Sequence, residues 1–164
     1  MIPIREIDQL LTTSLLSYLH IPVVPYDSID NFPEDRLITC NYSRPVGEAS
    51  GRPVLTVENG EPTLNETVTL QATFLSYAVE GLQRIEQTLQ VRDWFLTEGC
   101  TLLKEKLGVV VARIGMIENR DIQISSRWER RYGMDIELRV RHILSRPLEV
   151  VEDVQLRGVE PFGQ

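Results

Sequence analysis

The part of the chain that decides the fold reads Tyr132-Gly133-Met134-Asp135-Ile136-Glu137-Leu138-Arg139-Val140-Arg141-His142. Apolar side chains recur at every second position, from Tyr132 to Val140, and charged side chains fill most of the positions between them. This period of two is typical of a strand with one face on a core and the other in water. It predicts a strand over residues 130–143, in a sheet covered on one side.

A second stretch, residues 67–75, has the same period. Val68, Leu70, Ala72 and Phe74 share one face, and threonines and a glutamine occupy the other. Shorter apolar runs indicate further strands, of which the β-branched run at 109–117 is the best candidate for a central one. An Asn59-Gly60 pair predicts a hairpin turn. The additional predicted strands are 36–42, 53–57, 109–117 and 148–156.

Two long helices are predicted from apolar residues at three- and four-residue spacing. The first spans 4–19 and ends before Pro22. The second spans 77–97, and a short helical turn follows at 100–106. The predicted core stripe of the second helix contains Leu82, Ile85, Leu89 and Leu96, and is thickened by Trp94 and Phe95.

The element order is therefore α-β-β-β-α-β-β-β. Strands outnumber helices, and the short connections favour antiparallel neighbours, so we predict an α+β fold with a mostly antiparallel sheet and two main helices on one face. The length fits a single domain over residues 1–164. Seven of the nine prolines precede residue 63, which predicts loop or arm segments near 20–36 and 43–53.

Composition narrows the class of protein. The net charge of −7 argues against a protein that grips nucleic acid, because phosphate contacts require a positive surface. No apolar run is long enough to span a bilayer, and the N-terminus lacks a secretory pattern, so we expect assembly in cytoplasm. Cys40 and Cys100 have no CxxC partner, which predicts neither a zinc site nor a disulfide.

A cluster of charges precedes the decisive strand. It comprises Glu118-Asn119-Arg120-Asp121 and, six residues later, Arg127-Trp128-Glu129-Arg130-Arg131. Fifteen of the seventeen basic residues in the chain are arginines, whose planar guanidinium groups pair with carboxylates and are enriched at protein interfaces. The cluster is read either as a salt-bridged loop or as an ion-pair seam between subunits. The excess of arginine over lysine is also typical of proteins encoded by a GC-rich genome.

Catalytic chemistry has little support. His20 and His142 are the two histidines, and we expect the first to cap a helix and the second to be buried and hydrogen-bonded. No phosphate-binding, metalloprotease or nucleophile-elbow motif occurs. A small metal-dependent enzyme acting on nucleic acid remains an alternative, but arginines are interleaved with the acids on which it would depend. Those acids are Glu118, Asp121, Glu129, Asp135 and Glu137. We predict no catalytic, cofactor-binding or metal-binding residue.

The chain resembles a known family. The resemblance is carried by Val91-Arg92-Asp93-Trp94-Phe95-Leu96 with Gly99, by Gly108-Val109-Val110-Val111, by Ile117-Glu118-Asn119-Arg120-Asp121, and by Trp128-Glu129-Arg130-Arg131-Tyr132-Gly133-Met134-Asp135. These segments are similar to the neck or tail terminator (tail completion) proteins of tailed bacteriophages. The similarity covers most of the chain and is strongest over residues 91–140.

The resemblance implies a non-enzymatic virion component of the neck or tail. Proteins of this family are α+β, and they form a hexameric ring that closes the tail tube and meets the head connector or adaptor, with DNA passing through the lumen. Expected partners are thus further copies of the chain, the connector, and tail tube and possibly sheath proteins, with no membrane. A collar, connector or tube subunit is the alternative within the same class. Interface candidates are Glu118, Asn119, Arg120, Asp121, Arg127, Glu129, Arg130 and Arg131.

Overall fold

In the computed structural model, which describes residues 1–26, 36–49, 51–58 and 61–145, the chain forms three helices and nine strands. The predicted turn at 59–60, the predicted strand 148–156 and residues 27–35 of the first predicted arm lie outside the described residues. The elements, in chain order, are α1 (Ile4–Leu19), β1 (Val23–Pro25), β2 (Leu37–Ala49), β3 (Val54–Glu58), β4 (Glu61–Tyr77), α2 (Gly81–Leu96), α3 (Glu98–Leu107), β5 (Val110–Ile114), β6 (Glu118–Asn119), β7 (Ile122–Ile124), β8 (Arg127–Glu129) and β9 (Tyr132–Ser145).

The two alternating stretches pair with each other at the centre of the sheet. β4 and β9 are antiparallel from Thr63↔Ser145 to Ser76↔Tyr132, without a break in register. Cross-strand partners lie on the same face, so their apolar rows combine into one surface. Each of these side chains is at most 2% exposed: Val68, Leu70, Ala72, Phe74, Met134, Ile136, Leu138 and Val140.

The other strands extend the sheet on both sides of this pair. The order is β1-β2-β4-β9-β5; β3 also pairs with β4, and β6 with β9. β1 is parallel to β2, and the remaining pairs are antiparallel. The three helices contribute to a single core cluster on one face of the sheet. The predicted α+β architecture is therefore confirmed, with α3 forming a regular third helix.

The predicted arm at 43–53 is wrong for residues 43–49, which belong to β2. The strand passes Pro45 and Gly47 because its register against β4 shifts twice, between Ser43 and Val46 and between Val46 and Glu48. Bulges are the positions at which a strand accommodates proline and glycine. In the other predicted arm, near 20–36, residues 23–25 form β1.

A strand is confirmed within the predicted range 109–117, but the prediction that it is central is wrong. β5 covers only residues 110–114 and lies at an edge of the sheet order, and its side chains are half-buried or exposed. Gly115 follows it at a close approach, where a Cβ would lie 2.8 Å from the carbonyl oxygen of Asp135. β-branched composition therefore indicated a strand here, but it did not indicate its place in the sheet.

The predicted core face of the second helix is confirmed for Trp94 and Phe95 but is wrong for its leucines. Leu82, Leu89 and Leu96 are 74%, 40% and 53% exposed. The helix instead buries the face that carries two aromatic rings, with Phe95 packed edge-on against Phe74 at a centroid distance of 5.4 Å. Two polar residues on this face are hydrogen-bonded, since the Ser76 hydroxyl donates to Gln87 Oε1 and the Thr88 hydroxyl to a backbone carbonyl. The buried residues are Gln87, Thr88, Val91, Trp94 and Phe95.

None of the helices in the described ranges has the length and hydropathy needed to span a bilayer. Cys40 is buried and Cys100 is half-buried, and both are free thiols. Burial raises the pKa of Cys40 to about 12, so this thiol stays protonated at neutral pH. It behaves as an apolar filler of the core.

Gly99 allows α3 to follow α2 directly. A Cβ at this position would overlap the indole ring of Trp94, which is 1% exposed and cannot move without displacing Phe95. We expect Gly99→Ala to lower the free energy of unfolding by about 1–3 kcal/mol, the usual cost of overpacking. Gly81→Ala is the matched control, because the nearest atom to the added methyl would be Arg84 Nη2 at 3.4 Å, an ordinary contact distance. Urea denaturation checks this; equal stability of the two variants would contradict it.

Candidate assembly interface

The eight predicted interface residues lie in one continuous feature between β5 and β9. β6 pairs with the start of β9 through Glu118↔Gly133 and Asn119↔Tyr132. The chain then leaves the main sheet and forms a separate two-stranded hairpin, β7–β8, before it returns. The amide of Arg120 donates to the carbonyl of Arg131 at 2.9 Å and closes the base of this hairpin. Sequence analysis did not predict the hairpin itself.

Arg120 anchors this feature to the sheet. Its two terminal nitrogens donate to the two carboxylate oxygens of Asp135 at 2.9 and 2.8 Å, and Thr73 donates to the same carboxylate at 2.7 Å. Bidentate arginine–carboxylate pairs combine strength with a fixed geometry. The hydrogen bonds from Arg120 hold the pKa of Asp135 below its usual value of 3.8, although partial burial opposes the shift.

Asp121 and Arg131 fix the hairpin base from the other side. The Asp121 carboxylate accepts from the Arg131 amide at 2.7 Å and from Arg130 Nη1 at 2.9 Å, and its own amide donates to Asn119 Oδ1. Arg131 Nε donates to the Arg120 carbonyl at 2.6 Å, and Arg131 Nη1 pairs with Glu129 at 3.1 Å. The side chains of Asp121, Glu129 and Arg131 are only 11–13% exposed. Their charges therefore act within the chain.

The exposed part of the hairpin carries different residues from its base. Trp128 on β8 is 55% exposed. Arg130 follows β8, and its guanidinium lies 5.0 Å from the Trp128 ring centroid, so the two side chains share one side of the hairpin. Arg127 is exposed at the tip. Exposed tryptophan and arginine are the residue types most enriched among the residues that dominate binding energies.

Trp128 is exposed but is not among the interface candidates predicted from the sequence. It lies inside the charged run, of which only charged and polar residues were predicted as candidates. The period of two across Arg127-Trp128-Glu129 places it on the face opposite Glu129 and would have identified it as exposed once Glu129 was known to pair inward. We call Arg127, Trp128 and Arg130 the hairpin surface.

The acidic residues on which the alternative enzyme hypothesis depends are each paired with an arginine. Asp135, Asp121 and Glu129 have the partners given above, Glu137 is 3.4 Å from Arg139, and Glu118 is 3.8 Å from Arg120. Within the described ranges, no group of three histidine, cysteine or acidic residues is placed to hold a metal ion. The arrangement is that of a salt-bridged scaffold.

His20 ends a helix and His142 is hydrogen-bonded, as expected from the sequence, although His142 is half-buried rather than buried. His142 is on the core side of β9 and its Nδ1 is 2.7 Å from Glu66 Oε1, with both side chains less than 20% exposed. His20 ends α1 in a left-handed conformation, at φ 55°, and its amide donates to the Leu16 carbonyl.

Comparison with known proteins identifies one family. A family model described as phage neck terminator protein matches residues 4–161, which include every element of the fold and the whole candidate interface. No match was found among the curated proteins.

The pair of Arg120 and Asp135 makes stability depend on pH. The pKa of Asp135 is lowered in the folded state, so its stabilising contribution is present above the unfolded value near 3.8 and is lost as pH falls through the folded value. We expect Asp135→Asn to cost about 1 kcal/mol at pH 7 and less at pH 3. Urea titrations at both pH values check this; an equal cost at both would contradict it.

Proposed function

The chain belongs to the phage neck terminator family, and we propose that it is a ring-forming virion protein that closes the tail tube and joins it to the head. The single observation that carries the proposal is the family match over nearly the whole chain. In this proposal the ring has six copies, its partners are the head connector or adaptor and the tail tube, and DNA passes through the lumen. The protein acts as a structural component with no catalytic role.

The net charge of the chain supports the proposal of a ring through which DNA passes. A net charge of −7 per copy makes a ring strongly acidic, and an acidic lumen lets DNA slide without being held. Phosphate-gripping proteins need the opposite sign.

The charged cluster divides into two roles in this proposal. Arg120, Asp121, Glu129 and Arg131 hold the hairpin in a fixed orientation through contacts within the chain. The hairpin surface, together with the exposed Glu118 and Asn119, contacts a neighbouring subunit of the same ring. Contacts around a closed ring are heterologous, so a surface with both signs of charge and an aromatic anchor suits them.

Another ring component of the neck or tail, such as a collar, connector or tube subunit, would make the same demands on surface and charge. Labelled antibodies bound to intact particles distinguish these positions, because a terminator is found at the junction of tail and head. Labels along the tail or within the head would contradict the terminator position.

Assembly is tested by light scattering coupled to size exclusion over a wide range of concentration, with negative-stain imaging. We expect a species of about six times the 18.8 kDa of one chain, with ring-shaped particles. A monomer at every concentration would contradict self-assembly of the ring.

The hairpin surface is tested by Trp128→Ala and Arg127→Glu. Both positions are exposed and neither side chain holds the hairpin base, so we expect folded monomers and at least tenfold weaker assembly. Arg130→Glu is unsuitable, because it would place two carboxylates together where Arg130 pairs with Asp121 at 2.9 Å. Arg5→Glu, the same charge change at an exposed position of α1, is the control. Arg131→Glu is unsuitable, because this mostly buried side chain holds the hairpin base. Normal ring formation by both variants would contradict the assignment.

A further inference from the structure

A groove runs between α1 and α3 at the end of α2. It has a volume of about 810 Å³ and is lined by residues of these helices and of the junction between α2 and α3. Its aromatic and apolar lining consists of Tyr18, Trp94 and Leu102. We call it the helix groove. Its volume lies within the range of cavities that hold drug-sized ligands, so it can admit the side chains at the tip of a hairpin.

The helix groove is acidic. Two glutamates of α3, Glu98 and Glu105, line it, and its lining contains no basic side chain. Both glutamates are exposed, and within the described ranges neither makes an ion pair. Glu98 lies in the first turn of α3, where the helix dipole already stabilises a negative charge, whereas Glu105 lies in the last turn, where the dipole opposes one. Glu105 therefore gains more than Glu98 from an added cation.

The hairpin surface has the opposite charge. Arg127 is exposed and makes no ion pair with any residue that the structure describes. The side chain of Arg130 is 55% exposed, whereas those of Asp121 and Glu129 are each 11% exposed. The charge that reaches the surface of the hairpin is therefore positive, and Trp128 adds an exposed aromatic ring to it.

The two surfaces are anchored on opposite faces of the sheet. The three helices contribute to the core on one face. The hairpin is tied through Arg120 to Asp135, which is paired with Thr73. Because side chains alternate along a strand, Asp135 and Thr73 point away from the core face that carries Met134 and Phe74. An interaction between the hairpin surface and the helix groove therefore has to join two copies of the chain.

We infer that the hairpin surface of one copy inserts into the helix groove of the next copy. Arg127 pairs with Glu105 of that copy, and Trp128 packs on Tyr18 and Leu102. Tryptophan and arginine are the residue types that most often dominate the energy of an interface, and charge complementarity fixes which surfaces meet.

The contact joins two different surfaces, so it is head-to-tail and repeats from copy to copy. That type of contact generates a ring when the rotation closes. The inference rests on the proposed ring and names the surface that receives the hairpin. The charge of the helix groove argues against DNA as the occupant, because glutamates repel phosphates.

An exchange of charges tests the pairing. Arg127→Glu and Glu105→Arg each bring like charges together, so we expect each to weaken association about tenfold or more in light scattering. Both positions are exposed, and a cation is favourable in the last turn of α3, so the variants fold. In the double variant opposite charges face each other again, and we expect association to return to within about threefold of the wild-type value.

The matched control combines Arg127→Glu with Glu86→Arg, because Glu86 is an exposed acid of α2 outside the groove. We expect no recovery in this control. Equal recovery in both double variants, or none in either, would overturn the pairing.

Cross-linking of two forms of the full chain supplies the second test. Cys100→Ser removes the half-buried thiol, and Cys40 is buried. In this background, Ser126→Cys in the turn before β8 and Thr101→Cys in the helix groove are made separately. A short bismaleimide is added to each form and to their mixture. We expect covalent dimers in the mixture and none in either form alone, and none when Glu86→Cys replaces Thr101→Cys.

The outcomes separate this contact from the proposed function. Rings that give no cross-link in the mixture would overturn the contact and leave the proposed function intact; the helix groove would then be open to a basic segment of another neck or tail protein. A wild-type chain that stays monomeric at every concentration would contradict both the contact and the self-assembly of the ring.

Discussion

The structure depends on the antiparallel pairing of β4 with β9. One face of this pair supplies the central rows of the core, and the other presents Asp135, which holds Arg120 and through it the hairpin. Gly133 makes the approach possible at the end of the pair, since a Cβ there would lie 2.6 Å from both Leu75 Cδ2 and the Phe74 carbonyl oxygen. Core and candidate interface are therefore oriented by the same strand.

The central strands and α1 were predictable because their patterns have one interpretation. A strict period of two over nine or more residues fits only a half-buried strand, and the α1 stripe has a single apolar side. α2 was harder because it has two apolar sides. Its leucines have the more regular spacing, but Trp94 and Phe95 bury more surface, so the side that carries them packs on the core.

The position of the candidate interface along the chain was predictable, but which of its side chains face outward was not. The sequence places eight charged and polar residues between β5 and β9, yet the partner of Arg120 lies fifteen residues away and is reached only through strand pairing. Spacing along the chain carries no information on such a contact. Arg120 and Asp121 turn inward to partners on β9 and across the hairpin base, and Glu129 turns inward to Arg131, two residues along the chain. Trp128 and Arg127 remain exposed.

The hairpin surface exposes an aromatic ring, Trp128, that takes no part in the core. Electron cryo-microscopy of the assembled full chain tests directly whether a neighbouring copy covers it. We predict a closed ring of six in which Trp128 is buried between copies. A chain that forms no ring, or a ring with Trp128 in solvent, would contradict the assembly role assigned to this surface.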